Sequence, residues 1–183
     1  LVVFDSPKDI RGTALLSYSY KVAADDQWLW LPAVKRVKKL TSRNRSGPFL
    51  SSEFAFEDLA LQEVEKFTYR LIESGADEQG DFYLVERTPV DDYSGYSRQV
   101  VRLDSEELRI QRIDFFDRRE RPLKTLTVSG YQRFEEHFWK PGVMLMENLQ
   151  TGRSTELTWQ DYRFGLGLDA ERDFSTNALL RIR

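Results

Sequence analysis

The chain has no cysteine, and its 183 residues include a single histidine, His137. Without cysteine there are no disulfides, no thiolate nucleophile and no cysteine-ligated zinc, although this leaves the compartment open. A catalytic relay or metal site built on histidine would have to use His137, which stands beside Glu135 and Glu136. The HExxH, GxSxG, GxGxxG and P-loop patterns are all missing. A lone histidine next to two glutamates in an extended stretch reads as structural, so no enzyme, metal or cofactor is expected. No apolar run approaches the 18 residues of a membrane-spanning helix. Charge is nearly balanced, with 27 basic and 30 acidic residues giving a net charge of -3. That is too little to draw the whole chain to nucleic acid or to a membrane surface. No signal peptide is visible and Leu1 is not an initiator methionine. A processed or trimmed chain is therefore expected, lacking its targeting segment and some preceding N-terminal structure.

What is abundant is aromatic side chain, 13% of residues. Aromatic and β-branched residues fit pleated surfaces, which favours a sheet protein. A chain of this length is expected to form one domain, residues 1–183, burying about 70% of its unfolded surface. Alternation and turn signals place strands at 1–4, 13–20, 27–31, 34–40, 63–74, 81–88, 98–103 and 108–116. Further strands are expected within 123–138, with a bend at Gly130, and at 143–149 and 154–164. Residues 75–80 read as a turn. Glu57-Asp58 opens one or two helical turns over 56–61, where acidic residues suit the N-terminal dipole. Ser175 caps a short helix within 168–180. This makes a mainly β (α+β) chain of about ten strands, with an antiparallel meander as its simplest topology.

The densest signal is residues 27–59. Trp28 and Trp30 alternate with Leu29 and Leu31, so neither face of that strand is polar. A sheet with one wet face should alternate cleanly, so something covers the second face. Two readings are open: the tryptophans pack in the core or between sheets, or one face lines an apolar cavity. Tyr18, Tyr20, Phe54 and Phe56 are the neighbours expected to join such a cavity, together with Phe49. Met144 and Met146 form another candidate pair, because flexible thioethers suit floppy ligands, with ordinary core filling as the alternative. Lys35, Arg36, Lys38 and Lys39 read either as a protected sheet edge or as contacts for anionic headgroups or an acidic partner. Asp91-Asp92 and Glu106-Glu107 read as solvated turns.

Four stretches of the sequence resemble the periplasmic lipoprotein-sorting superfamily, the LolA/LolB-like proteins. They are Pro7–Thr13, Asp26–Ala33, Val34–Val37 and Ser46–Leu59, in order and at family-like spacing. The chain looks most like the outer membrane lipoprotein-sorting protein branch, often encoded beside RND-type exporters. Ser51 stands where the family has a glycine, and Glu53 where it has an aspartate. The resemblance implies a strongly curved antiparallel half-barrel with short helices over its concave face. Between them lies an apolar cavity that holds acyl chains. It further implies a periplasmic, non-enzymatic carrier of lipid or of the lipid part of lipoproteins. The expected partners are an inner-membrane RND-type exporter or an outer-membrane acceptor, and not nucleic acid. A protein-interaction or envelope-stress sensor domain on the same fold is the alternative, and a small hydrolase using His137 a more distant one. Since each buried methylene contributes about 0.8 kcal/mol, a fully enclosed 16-carbon chain would be held too tightly to release. A carrier therefore needs a partly open cavity or a lid, for which 56–61 and 168–180 are the candidates.

Overall fold

The computed structural model describes residues 1–182. Thirteen strands follow one another: β1 Val2–Val3, β2 Ala14–Tyr18, β3 Asp26–Leu31, β4 Arg36–Leu40, β5 Phe67–Asp77, β6 Gly80–Pro89, β7 Tyr96–Asp104, β8 Ile110–Asp117, β9 Pro122–Ser129, β10 Gln132–Phe134, β11 Phe138–Lys140, β12 Val143–Asn148 and β13 Ser154–Thr158. The helices are short: 3-10 turns at Pro32–Val34, Ser42–Asn44, Phe56–Leu59 and Val64–Lys66, then α1 Ala170–Asp173 and α2 Thr176–Leu179. Ser175 caps α2, accepting from Ala178 N at 3.3 Å. The chain is thus mainly β, and every strand pairing is antiparallel.

Instead of one strongly curved sheet of about ten strands, there are three sheets. One has four strands (β1-β2-β3-β4), one has seven (β13-β12-β9-β8-β7-β6-β5), and β10-β11 form a separate ribbon. None curls strongly or closes on itself. The break after β4 has a plain cause: residues 41–66 carry no strand, and Gly47-Pro48 interrupts the chain within them. Lys38 and Lys39 lie exposed on the edge strand β4, where charge discourages further pairing. The second break lies at Gly130, whose φ of +65° turns the chain away from the large sheet. The backbone there passes so close to Gly142 that a Cβ on Gly142 would lie 3.0 Å from Gly130 O. The residues expected to turn at 75–80 continue β5 instead, as far as Asp77, because Gly75 and Ala76 pair with Phe82 and Asp81.

Segment 45–62 lies between the two larger sheets. Phe54 packs with Val101, Ile113, Phe115, Leu126 and Met146 of the large sheet. Phe49 and Phe56 pack with Leu15, Leu29 and Leu40 of the small one. The other face of the small sheet, Ala14, Leu16 and Trp30, is covered by Leu179 of α2. Protein therefore covers both faces of the tryptophan strand, segment 45–62 (the wedge) on one side and the C-terminal helix on the other. Leu50 and Ser51, at the tip of the wedge, both have left-handed backbones, φ 46° and 64°. That conformation explains why a glycine suits position 51. Leu179 is fully buried, so Leu179→Ala should lower unfolding stability by about 2–5 kcal/mol in a denaturant titration.

Candidate functional site

Residues opposite one another across antiparallel strands share a face. Arg87, Gln99, Phe115 and Lys124 form one cross-strand row on the inner face of the large sheet. Two residues along each strand lies a second row: Val85, Val101, Ile113, Leu126 and Met146. Beyond it come Val128 and Met144. The inner face thus passes from polar to apolar along the strand direction. The outer face is charged, with ion pairs such as Arg70–Glu86 and Arg112–Asp114.

Over this inner face lies a cavity of about 230 Å³. Its apolar wall comes from Ile110, Ile113, Phe115, Leu126, Val128 and Met144. Its polar end is built by the wedge, through Arg45, Glu57 and Asp58, and by Asp25, Lys66, Arg87 and Asp91. The charges at that end are largely paired. Lys124 Nζ donates to Asp58 Oδ2 at 2.6 Å and to the Glu53 carbonyl at 3.0 Å. Asp58 also accepts from Tyr96 OH at 2.8 Å and from Ala55 N at 2.7 Å. Arg45 pairs with Asp91 at 2.7 Å, and Lys66 with Asp25. Among the described residues no cation lies within ion-pair distance of Glu57; it accepts from Ser94 Oγ at 2.8 Å and Gly95 N at 2.9 Å. Burial pushes its carboxyl up to about 7 against those two hydrogen bonds. Arg87 donates through Nε to Gln99 Oε1 at 2.7 Å, and its guanidinium lies 4.5 Å from the Phe67 ring centroid.

Of the eight residues expected around an acyl chain, Met144 stands in this cavity wall. Met146 is fully buried in the core behind it. Phe54 and Phe56 belong to the wedge, Phe54 also bordering a second hollow of about 80 Å³. Tyr18, Trp28 and Trp30 sit on the far face of the small sheet, near Phe174 and Leu179. Tyr18 donates to the Phe174 carbonyl at 2.6 Å, whereas Tyr20 is exposed and reaches Asp26 at 3.3 Å. Lys35, Arg36, Lys38 and Lys39 line the exposed β4 edge and its entry; Lys39 pairs with Asp26 at 2.6 Å and lies over the Trp28 ring. His137 lies in the exposed turn between β10 and β11. Among the described residues no cluster of three or more histidine, aspartate or glutamate side chains is arranged to hold a metal. Of the two lid candidates, 56–61 contributes Glu57, Asp58, Ala60 and Leu61 to the cavity wall, while α2, within 168–180, lies across the small sheet.

Sequence reasoning missed Arg87 and Lys124; Asp91, read as part of a solvated turn, is exposed there while it pairs with Arg45. A signal was present: Arg87 shares strand parity with Tyr83 and Val85, and Lys124 with Leu126 and Val128. A charge on an apolar parity points inward.

A crystal structure from Vibrio parahaemolyticus, described as an outer membrane lipoprotein-sorting protein domain, superposes with a TM-score of 0.93 at 46% identity. The match covers 98% of this chain and 76% of that one. The chain belongs to the outer membrane lipoprotein-sorting protein family. A DUF1329 family protein from Desulfovibrio piger matches at 31% identity and a TM-score of 0.89, over 97% of this chain and 75% of that one. A LolA superfamily protein from Nitrosomonas europaea shares the fold at 19% identity, with a TM-score of 0.67 over 96% of this chain and 75% of that one. The LolA-like fold is therefore common to all three. A family model described as "Uncharacterized protein" matches residues 1–181. No curated protein matches the chain in sequence. No helix among the described residues of this lipoprotein-sorting family member is long and apolar enough to cross a membrane.

Two outcomes follow for the polar end. Lys124→Met strands Asp58 as a buried charge and should cost about 3–5 kcal/mol in urea unfolding, with Asp58→Asn in the same chain restoring part of the loss. Glu57 ionises near 4.5 when unfolded but near 7 when folded. Between those values the unfolded state holds fewer protons, so stability falls as pH rises through that window, by on the order of 2–3 kcal/mol. Glu57→Gln should flatten that slope in thermal melts at pH 5 and pH 8.

Proposed function

We propose that this protein is a periplasmic carrier that holds an acyl chain of a lipid or lipoprotein between the large sheet and the wedge. The observation that carries this reading is the 230 Å³ cavity with its continuous apolar wall, in a chain of the lipoprotein-sorting family. A cavity of about 150 Å³ accepts a six-carbon ring, so this one has room for about nine carbons. At about 0.8 kcal/mol per methylene, nine carbons contribute roughly 7 kcal/mol before the costs of binding. That corresponds to affinity no tighter than about 10 μM, in the range from which cargo can be handed on. The rest of a longer chain remains outside, within reach of an acceptor.

Within this reading Met144 contacts the chain. Tyr18, Trp28, Trp30, Phe54, Phe56 and Met146 hold the sheets and wedge in place, and the basic β4 edge faces a membrane or a partner. A second reading, a protein-interaction or envelope-sensing domain, draws on β5. That edge strand leaves Tyr69, Leu71 and Ile72 exposed, Leu71 by 61%, close in sequence to exposed Leu61 and Val64. An open apolar edge is a template for another chain.

Titration of the purified protein with a fluorescent fatty acid should show saturable binding. Met144→Trp should weaken it at least about tenfold by filling the wall, while Trp30→Phe leaves it unchanged. If no binding saturates, and organic extraction with mass spectrometry finds no co-purified lipid, the carrier reading is abandoned in favour of the second.

A further inference from the structure

The charged residues that face the cavity can be matched pair by pair. Asp25 is taken by Lys66, Asp91 by Arg45, and Asp58 by Lys124. Two groups are left over. Glu57 is satisfied by Ser94 and Gly95 and is only partly ionised near neutral pH. Arg87 is different. It is 8% exposed, yet no carboxylate lies within ion-pair distance of it among the described residues, and its only hydrogen bond is the one from Nε to Gln99. Among the described residues its two terminal nitrogens have no hydrogen-bond acceptor; they are not sealed off, and Arg87 lines the cavity, although a guanidinium offers five N–H donors in a planar fork. A buried cation without a direct ion pair is costly, and burial lowers its pKa to about 10 against the weaker, longer-range pull of Tyr69 and Asp58. Phe67 supplies only a ring face.

The position of this cation is as telling as its isolation. Arg87 lies on the same sheet face as Val85, two residues along β6, and its cross-strand row continues through Gln99 to Phe115. The neighbouring row, through Val101, Ile113 and Leu126, leads to the apolar wall. A single occupant running obliquely across the strands, from β6 toward β8 and β9, would meet the guanidinium at one end and hydrocarbon side chains at the other.

We infer that the cavity is built for an anionic amphiphile, whose carboxylate or phosphate head docks on Arg87 while its alkyl tail lies against Ile113, Leu126, Val128 and Met144. This rests on the carrier reading and narrows it to a class of ligand. The fork geometry suits either oxyanion, and the tail is what separates a lipid head from a free anion. The β4 lysines play no part, since they lie on the exposed edge of the other sheet.

The test is calorimetric titration of the full chain with decanoate, decyl phosphate, decanol and inorganic phosphate. Decanoate and decyl phosphate should bind at least about tenfold tighter than decanol, and inorganic phosphate alone should not bind measurably. Arg87→Gln should bring both anions to the affinity of decanol while leaving decanol unchanged, which also shows that the cavity is intact. The inference is overturned if decanol binds the wild-type protein as tightly as decanoate. It is equally overturned if Arg87→Gln leaves decanoate unaffected, or if inorganic phosphate matches decyl phosphate. Should Arg87→Gln fail to fold, the wild-type comparison of acid with alcohol decides. Binding of none of the three alkyl probes would instead remove the carrier reading itself, and the anchor with it.

Discussion

The buried ion pair between Lys124 and Asp58 is the constraint on which the rest of the molecule depends. Both side chains are 5% exposed, and the two sheets share little except the segment that carries Asp58. Through Lys124, Tyr96 and the Ala55 amide, one carboxylate fixes the wedge to β9, to β7 and to its own first turn. With the wedge held there, Phe54 enters the core of the large sheet while Phe49 and Phe56 face the small one. A buried pair of this kind adds little net stability compared with apolar packing of the same volume. What it contributes is position. Hydrocarbon packing would let the wedge settle onto the apolar rows, whereas a lysine tied to an aspartate and to the Glu53 carbonyl sets where the wedge lies.

That standoff gives the hollow its two-ended character. The wedge contributes polar and charged groups at one end: Arg45, Glu57 and Asp58. The large sheet contributes the remainder of the wall, and its inner face grades from Arg87 and Gln99 to Ile113, Leu126 and Val128. The grading follows from register alone. β6, β7 and β9 each place a polar residue in one row and an apolar one two positions away, β8 adding Phe115 between them, and the antiparallel pairings align them.

Much of this architecture is written in local pattern. The tryptophan strand, the 56–59 turn, the Ser175 cap and the hairpins at 89–95 and 104–107 all rest on signals within a few residues, and they form where those signals lie. The resemblance of residues 7–59 to the lipoprotein-sorting proteins extends to the whole fold. The division into separate sheets was not legible, because whether β4 and β5 pair depends on where a 26-residue connection travels, which no local pattern encodes. The two-faced apolarity of Trp28–Leu31 was read correctly as a sign of cover. The cover on one of those faces, α2, lies about 150 residues away in sequence. The lining of the hollow was hidden in the same way. Aromatic density drew attention to Tyr18, Trp28 and Trp30, which the C-terminal helix covers. The residues of the apolar wall are ordinary strand aliphatics whose meeting depends on register across three strands.

The inward charges carry the more general lesson. Strand parity puts one cation among the inward-facing residues of β6 and another among those of β9. Arg87 and Lys124 are both buried on apolar parity, and the contrast between them separates structure from function. Lys124 has an aspartate, a backbone carbonyl and two aromatic faces, those of Tyr96 and Phe115; its environment is complete. Arg87 has a glutamine and a phenylalanine ring, which hold the guanidinium in orientation without neutralising it. A fold under selection for stability alone gains nothing from keeping such a group beside an apolar hollow, since a methionine there would remove the desolvation cost. An oxyanion arriving with its own hydrocarbon supplies both missing contacts at once, and that is the physical reason to regard the polar row and the apolar rows as parts of one site.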